Sequence, residues 1–235
     1  MNVLTTDVIV VAAGNSTRMG TPKQWLELAG IPVLGHTLRA FDQVPQVGRL
    51  VTVARTEDIP RILKLAHQLQ IQKPLTVVEG GATRQQSVTA GVHSLVDSTA
   101  PLLAIHDGAR PLVTPALIRR VIEEAAATGA AAAAIPVKDT IKVADSAGFV
   151  TQTPPRRLLW AVQTPQIFAA GTYRRALQKA ADDGLDFTDD CQLIEYVGGR
   201  VKLVMGEESN LKITTPADMR LAEGFLQMQK EQEES

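Results

Sequence analysis

Val8-Ile9-Val10-Val11-Ala12-Ala13-Gly14-Asn15-Ser16-Thr17-Arg18-Met19-Gly20, continued by Thr21-Pro22-Lys23-Gln24, decides how this chain is read. The β-branched run at 8–11 predicts a buried strand. It breaks into small residues whose backbone N–H groups can approach phosphate oxygens, and Arg18 and Lys23 bring positive charge within the same loop. Two familiar templates fail here. A Walker A loop needs G-x-x-x-x-G-K-[ST], but Thr21 and Pro22 follow Gly20. The dinucleotide fingerprint G-x-G-x-x-G meets Ser16 and Met19 at its second and third glycine positions. What remains is a nucleotide-phosphate loop of another kind, with an ordinary strand-to-helix turn as the plainer alternative.

Outward from this loop, apolar runs alternate with amphipathic stretches. Strands are predicted at 50–54, 75–78 and 102–106. Helices are predicted where Leu34, Leu38 and Phe41, then Ile59, Ile62 and Ala66, then Val88, Val92 and Leu95 recur at helical spacing. Thr114-Pro115 reads as an N-cap with proline at N1, opening a helix that Gly129 closes. Ala131–Val137 is read as a buried strand despite its alanines. Further strands are expected near 162–168 and 201–205, with helices near 172–181, from 188 and from 215. This alternation predicts one α/β domain over residues 1–235, a doubly wound and mostly parallel sheet of Rossmann-like form.

The bulk composition agrees. Of 235 residues, 45% are apolar and only 4% aromatic, so the core must be built from Val, Ile, Leu and Ala, as in a parallel sheet covered on both faces. A formal net charge of -1 argues against a nucleic-acid-coating surface. Cys191, the single cysteine, permits no disulfide within the chain and no cysteine-based zinc site. No cleavable leader or membrane-spanning run is visible, and a cytoplasmic location is expected.

Residues 138–157 break the rhythm. Thr140–Val143 and Phe149–Thr153, joined by Asp145-Ser146-Ala147-Gly148, read as a hairpin without enough apolar content to bury both faces. Its open ladder edges favour an arm that protrudes and pairs with a second copy, making a homodimer. An arm folded back over its own sheet is the alternative.

Ligands of open α/β sheets bind outside the carboxyl ends of the strands. The loop with Arg18 and Lys23, the loop with Gly80, Gly81 and Arg84, and the loop with Asp107 and Arg110 each follow a predicted strand and should converge on one edge. Asp107 could hold Mg²⁺ or its water shell against phosphates, or simply cap the Gly108-Ala109 turn. His36, His67 and His93 are expected on helix surfaces and His106 packed at a strand end. Arg156-Arg157 reads as a solvated pair. No Ser/His/Asp or Cys/His arrangement is visible, so the chemistry suggested is displacement at phosphorus, in which a protein positions reactants and neutralises charge.

Eight motifs in order carry a resemblance. They are Ala12-Ala13-Gly14 with Arg18-Met19 and Pro22-Lys23-Gln24; Gly80-Gly81-x-x-Arg84 with Ser87; His106-Asp107-x-Ala109-Arg110-Pro111; and Pro136-Val137-x-Asp139-Thr140-x-Lys142. Arg156 with Trp160, Gln163-Thr164-Pro165-Gln166, Thr188-Asp189-Asp190 and Asn210-x-Lys212-Ile213-Thr214 complete them. The chain thus resembles the methylerythritol phosphate cytidylyltransferases of non-mevalonate isoprenoid synthesis. That resemblance implies that CTP lies along Ala12, Ala13, Gly14 and the loop to Lys23, beside Asp107. The cytosine would be read by Gly81, Ala82, Arg84 and Ser87. Arg18, Lys23 and Lys212 would be the catalytic cations, with Mg²⁺ as cofactor. The sugar-alcohol phosphate would meet Arg110, Thr140, Arg156 and Thr188, with Thr140 and Arg156 serving the neighbouring subunit across a dimer two-fold. The related ribitol 5-phosphate cytidylyltransferases share the CTP motifs and are the alternative. Two departures stand out: the family usually has glycine where Ser16 sits and often alanine where Gly108 sits.

Overall fold

In the computed structural model, which describes residues 5–14 and 22–233, the β-branched run lies inside a seven-stranded sheet. Strand β1 (Thr6–Val11) pairs with β4 (Val47–Ala54) on one side and β6 (Leu102–Asp107) on the other, parallel to both. Beyond β4 lies β5 (Leu75–Glu79), also parallel. Past β6 the sense changes, because β10 (Trp160–Ala169) runs antiparallel between β6 and β7 (Ala130–Pro136). The last strand, β11 (Lys202–Met205), closes that edge parallel to β7. The chain winds from β1 toward β5 and then returns to place β6 on the opposite flank, so the winding reverses between β1 and β6. A crevice outside the carboxyl ends of the strands follows from that reversal.

Both faces of the sheet are buried, as the composition requires. On one face Val8 and Val10 pack with Leu38 and Phe41 of α1 (Val33–Asp42), Ile62 of α2 (Ile59–Gln68) and Val121 of α4 (Pro115–Thr128). On the other, Ile9 packs with Val88 of α3 (Arg84–His93), Tyr173 of α5 (Ala170–Asp182) and Ile194 of α6 (Asp190–Tyr196). Gly91 sets how closely α3 approaches: a Cβ there would stand 2.8 Å from Ile9 Cγ2 and 3.0 Å from Val53 Cγ2.

The helix boundaries follow the predicted signals. Thr114 Oγ1 accepts from Leu117 N–H at 3.0 Å, Pro115 sits at the first turn, and Gly129 ends α4 at φ 85°. The alanine run is the strand β7. Its alanines at 130–134 are buried between β10 and β11 with α4 against them, and that enclosure overrides their helical preference. The last helix, α7 (Pro216–Glu233), opens with a reciprocal cap. Asp218 Oδ2 accepts from the N–H groups of Thr214 and Thr215 at 2.8 and 2.7 Å.

A small hairpin was not anticipated. β2 (Glu27–Leu28) and β3 (Ile31–Pro32) turn through Ala29 and Gly30 at φ 50° and 78°, and Ala-Gly is a weaker turn signal than Asn-Gly. Leu28, Leu112, Ile213 and Ala222 pack together there, joining the hairpin to α7.

The predicted arm is a hairpin, but its ladder is shorter than expected, only β8 (Val143–Ala144) against β9 (Val150–Gln152). Asp145 Oδ1 fastens the turn, accepting from Ala147 and Phe149 N–H at 3.0 and 2.9 Å. Residues 138–153 are all exposed, Phe149 at 72%, so the arm stands off the body instead of folding over its own sheet. Among the described residues no helix is long and apolar enough to cross a membrane.

Candidate active site

A cleft of about 510 Å³ opens at the carboxyl ends of β1, β4, β5 and β6. Residues 11–14, 54–57, 79–84 and 107–109 line it, one group from the end of each strand, with Lys23 and Lys212 added. The described ends of the first predicted loop, 12–14 and 23–24, therefore converge with the other two loops. Close backbone approach explains the glycines: a Cβ on Gly80 would lie 2.5 Å from Ala13 Cβ, and one on Gly81 2.4 Å from Gln86 Cβ. Ser87 Oγ accepts from Gly81 N–H at 3.2 Å and donates to Thr83 O at 2.9 Å, which fixes the turn against the helix behind it. At Gly108 a Cβ would meet Val11 O at 3.1 Å and Leu34 Cδ1 at 3.2 Å. The glycine also donates from its N–H to Val11 O at 2.9 Å, so this departure from the family pattern sits in a closely packed turn.

Asp107 is the electrostatic centre. Its Oδ2 lies 2.9 Å from Lys212 Nζ and 3.6 Å from Arg110 Nε, and its Oδ1 lies 3.7 Å from Arg84 Nε. Burial alone would raise its pKa, but the three cations, Lys212 foremost, outweigh burial and hold the carboxyl well below the usual range. Arg84 spans two carboxylates, since its Nη1 also reaches Asp190 Oδ2 at 2.6 Å. Burial opposes its charge, yet Asp190 and Asp107 together hold the guanidinium protonated. Buried Asp190 in turn accepts from the Tyr173 hydroxyl.

Lys212 is held in place by a buried asparagine two residues before it. Asn210 Nδ2 donates to Thr164 O at 2.8 Å and to Gln163 Oε1 at 3.2 Å, while Arg110 Nη1 donates to Asn210 O at 2.7 Å. Ile213 N–H closes the segment on Ala109 O at 2.8 Å.

His106 is packed at the strand end, as expected, under Phe41. Arg110 O, which can only accept, faces His106 Nε2 and so places the ring proton there; Nδ1 then accepts from Thr164 Oγ1 at 3.0 Å, while that hydroxyl accepts from Asp107 N–H at 3.0 Å. Burial, with Arg110 and Lys212 adding to it against Asp107, pushes His106 down to about 3. The unfolded chain binds this proton below about pH 6.5 and the folded chain does not, so stability falls as pH drops. One such group removes about 2 kcal/mol between pH 7 and pH 5. Urea midpoints should record that fall, and His106→Asn, which carries no titrating ring, should lose that share. Asp107, whose own loss begins only below about pH 4, leaves this window unaffected. His36 differs from expectation: it is half-buried, with Nε2 2.7 Å from Leu28 O, whereas His67 and His93 are exposed.

The predicted site residues divide into two groups. Ala12, Ala13, Gly14, Lys23, Gly81, Ala82, Arg84, Ser87, Asp107 and Lys212 surround the cleft. Arg110 is buried behind Asp107, off the cleft wall. Thr140 and Arg156 are exposed and absent from the cleft wall of their own chain; Arg156 Nη1 donates to Lys138 O at 2.7 Å. Thr188 is exposed beside the cleft, between Asp186, which accepts from Thr83 Oγ1 at 3.0 Å, and Asp190, which pairs with Arg84. Arg18, with Ser16 and Met19, lies outside the described residues. Sequence reasoning missed Arg55 on the cleft wall, and it used Thr164, Asp190 and Asn210 only as pieces of motifs. Asp190 starts a helix, where an acid reads as a capping residue, and the other two carry no charge signal.

The comparisons with known proteins agree with this geometry. The family model described as IspD, 2-C-methyl-D-erythritol 4-phosphate cytidylyltransferase, matches residues 6–228. A protein of that name from Caldanaerobacter subterraneus subsp. tengcongensis is 44% identical over 229 residues, 96% of this chain and 99% of its own length. One from Desulforamulus reducens is 47% identical over 222 residues, covering 93% and 94%. The crystal structure of 4-diphosphocytidyl-2C-methyl-D-erythritol synthase from Anaerococcus prevotii superposes with a TM-score of 0.85 at 31% identity, covering 95% of this chain and 98% of that one. The Thermus thermophilus 2-C-methyl-D-erythritol 4-phosphate cytidylyltransferase gives 0.77 at 34% identity, covering 94% and 98%. A match of this length, at these identities and with this cleft, means that the chain belongs to the 2-C-methyl-D-erythritol 4-phosphate cytidylyltransferase family.

Proposed function

We propose that this protein joins CTP to 2-C-methyl-D-erythritol 4-phosphate, forming the CDP-linked methylerythritol and pyrophosphate for isoprenoid precursor synthesis. The observation that carries the reading is the convergence of Lys23, Arg84 and Lys212 around the cleft where the small-residue turns meet. An oxygen of the acceptor phosphate attacks the α-phosphorus of CTP, and the bond from that phosphorus to the pyrophosphate oxygen breaks. The attacking group is already an anion, so no general base is needed. The obstacle is charge repulsion between reactants, and fixed cations lower it. Lys23 and Lys212, with Arg18, would stabilise the five-coordinate phosphorus. Gly81, Ala82, Arg84 and Ser87 would read the cytosine, and Ala12, Ala13 and Gly14 would follow the phosphates.

Mg²⁺ fits as a cation that arrives on the triphosphate. Among the described residues no three His, Cys, Asp or Glu side chains gather as a metal cage. Asp107 offers one hard carboxylate in the cleft, and the cations around it repel a free divalent ion until the triphosphate brings its own negative charge. Bound there, Mg²⁺ would neutralise phosphate oxygens while Asp107 holds it or its water shell.

The protruding arm 138–157 supports a homodimer in which Thr140 and Arg156 meet the neighbour's acceptor phosphate, beside its Arg110 and Thr188. Phe149, Val150 and Leu158, exposed at 72%, 57% and 66%, are the apolar side chains such a partner would cover. CTP and the acceptor are small soluble anions, and the reaction belongs in the cytoplasm, where nucleoside triphosphates are made. Pyrophosphate release should appear with CTP, Mg²⁺ and the methylerythritol phosphate and be at least tenfold slower with ribitol 5-phosphate. Preference for ribitol phosphate would reassign the acceptor, and no release with either would remove the transferase reading.

A further inference from the structure

Asp58 lies at the start of α2, outside the cleft lining, and is only 5% exposed. Its carboxylate gathers donors from two separate segments of the cleft wall. From the segment after the phosphate loop, Trp25 Nε1 donates to Oδ1 at 2.7 Å and Gln24 Nε2 to Oδ2 at 3.2 Å. From the loop after β4, Arg55 donates to Oδ2 through Nε at 2.9 Å and Nη2 at 2.8 Å. Arg61 of α2 lies over the Trp25 ring at 3.9 Å, so the indole is held by its edge and by its face.

Lys23 begins the single turn, Lys23–Trp25, whose other two side chains end on Asp58. So short a turn has little backbone bonding of its own, Trp25 N–H to Pro22 O and Leu26 N–H to Lys23 O. We infer that Asp58 is a positioning residue that clamps the Lys23 turn to the β4–α2 loop and thereby aims the Lys23 ammonium into the cleft. Removing it leaves an indole N–H and an amide without their acceptor and Arg55 with Glu57 alone, at 3.1 Å, so the turn loses its polar tie to the loop after β4. Charge must stand where it develops during transfer, so displacing Lys23 by an ångström costs rate more than nucleotide affinity.

The inference rests on the cytidylyltransfer reading for its kinetic part only. Amide exchange at residues 23–26 tests the clamp without any turnover. In Asp58→Ala it should quicken at least tenfold while β1 stays protected; parent-like exchange at 23–26 overturns the clamp. The kinetic arm is a cycle with Lys23→Ala. Asp58→Ala should lower kcat about tenfold with a smaller change in the KM for CTP, and in that background Lys23→Ala should cost under tenfold, against about a hundredfold in the parent. Costs that multiply in full overturn action through Lys23. Trp25→Phe keeps the Arg55 pair and serves if the alanine variant fails to fold; a kcat fall of severalfold, with residues 23–26 exchanging faster, is expected, and parent values overturn the clamp. A parent enzyme that releases no pyrophosphate sinks the transferase reading, while the exchange result still decides the clamp.

Discussion

Lys23→Ala should lower the rate of pyrophosphate release by roughly a hundredfold or more, with the fold intact. Lys23 is half-buried at the cleft and is not among the residues packed in either face of the sheet, so its loss leaves those faces unchanged. A preorganised positive group aimed at developing phosphorane charge is worth about as much as an oxyanion donor, whose removal costs roughly 10²–10³ in turnover. The same size of loss is expected for Arg18→Ala. Steady-state pyrophosphate release at saturating CTP and acceptor gives the rate, and circular dichroism gives the fold. A variant within tenfold of the parent would take Lys23 out of the mechanism.

An effect in the opposite direction is expected from mixing two crippled proteins. If Arg156 serves the neighbour's site, Lys23→Ala and Arg156→Ala dimers are each nearly inactive. A mixed dimer then carries both lesions in one site and none in the other. With random exchange half the dimers are mixed, so activity should recover to about a quarter of the parent's. From a starting level near one hundredth, that is a gain of roughly twentyfold or more. The measurement is activity after unfolding and refolding the two variants together, against each refolded alone. Additive, uncorrected rates would mean that each chain completes its own site. The exposed arm, with Arg156 off the cleft of its own chain, motivates the expectation.

The sheet was legible because its signals are local and strong. The run at Val8–Val11, the Thr114-Pro115 start and the Gly129 stop each have one inexpensive solution, and the chain takes it. Convergence of the three loops followed from the winding rule, with no need of side-chain detail. Arg110 shows where that reasoning ends. Sequence marks it as a cation after a strand, but whether its guanidinium faces the cleft or Asn210 O depends on a segment 100 residues away. Asp58 is the reverse case: an acid beside Glu57 at a helix start looks like ordinary capping, and its partners Gln24 and Trp25 are brought to it only by the sheet between them. The ladder of the arm was overestimated for a related reason. Alternation suggested two four- or five-residue strands, yet a ribbon with no body beneath it pairs only near its turn.

The crowding of three cations on Asp107 bears on inhibitor chemistry. A neutral molecule seated in that cleft would strip water from an unbalanced cluster and give nothing back, which is unfavourable in a low-dielectric space. Compounds that compete here must therefore carry multiple negative charges, the very property that keeps molecules from crossing cell envelopes. An uncharged lead would do better against the exposed apolar side chains of the arm, Phe149 and Val150, than against the nucleotide cleft.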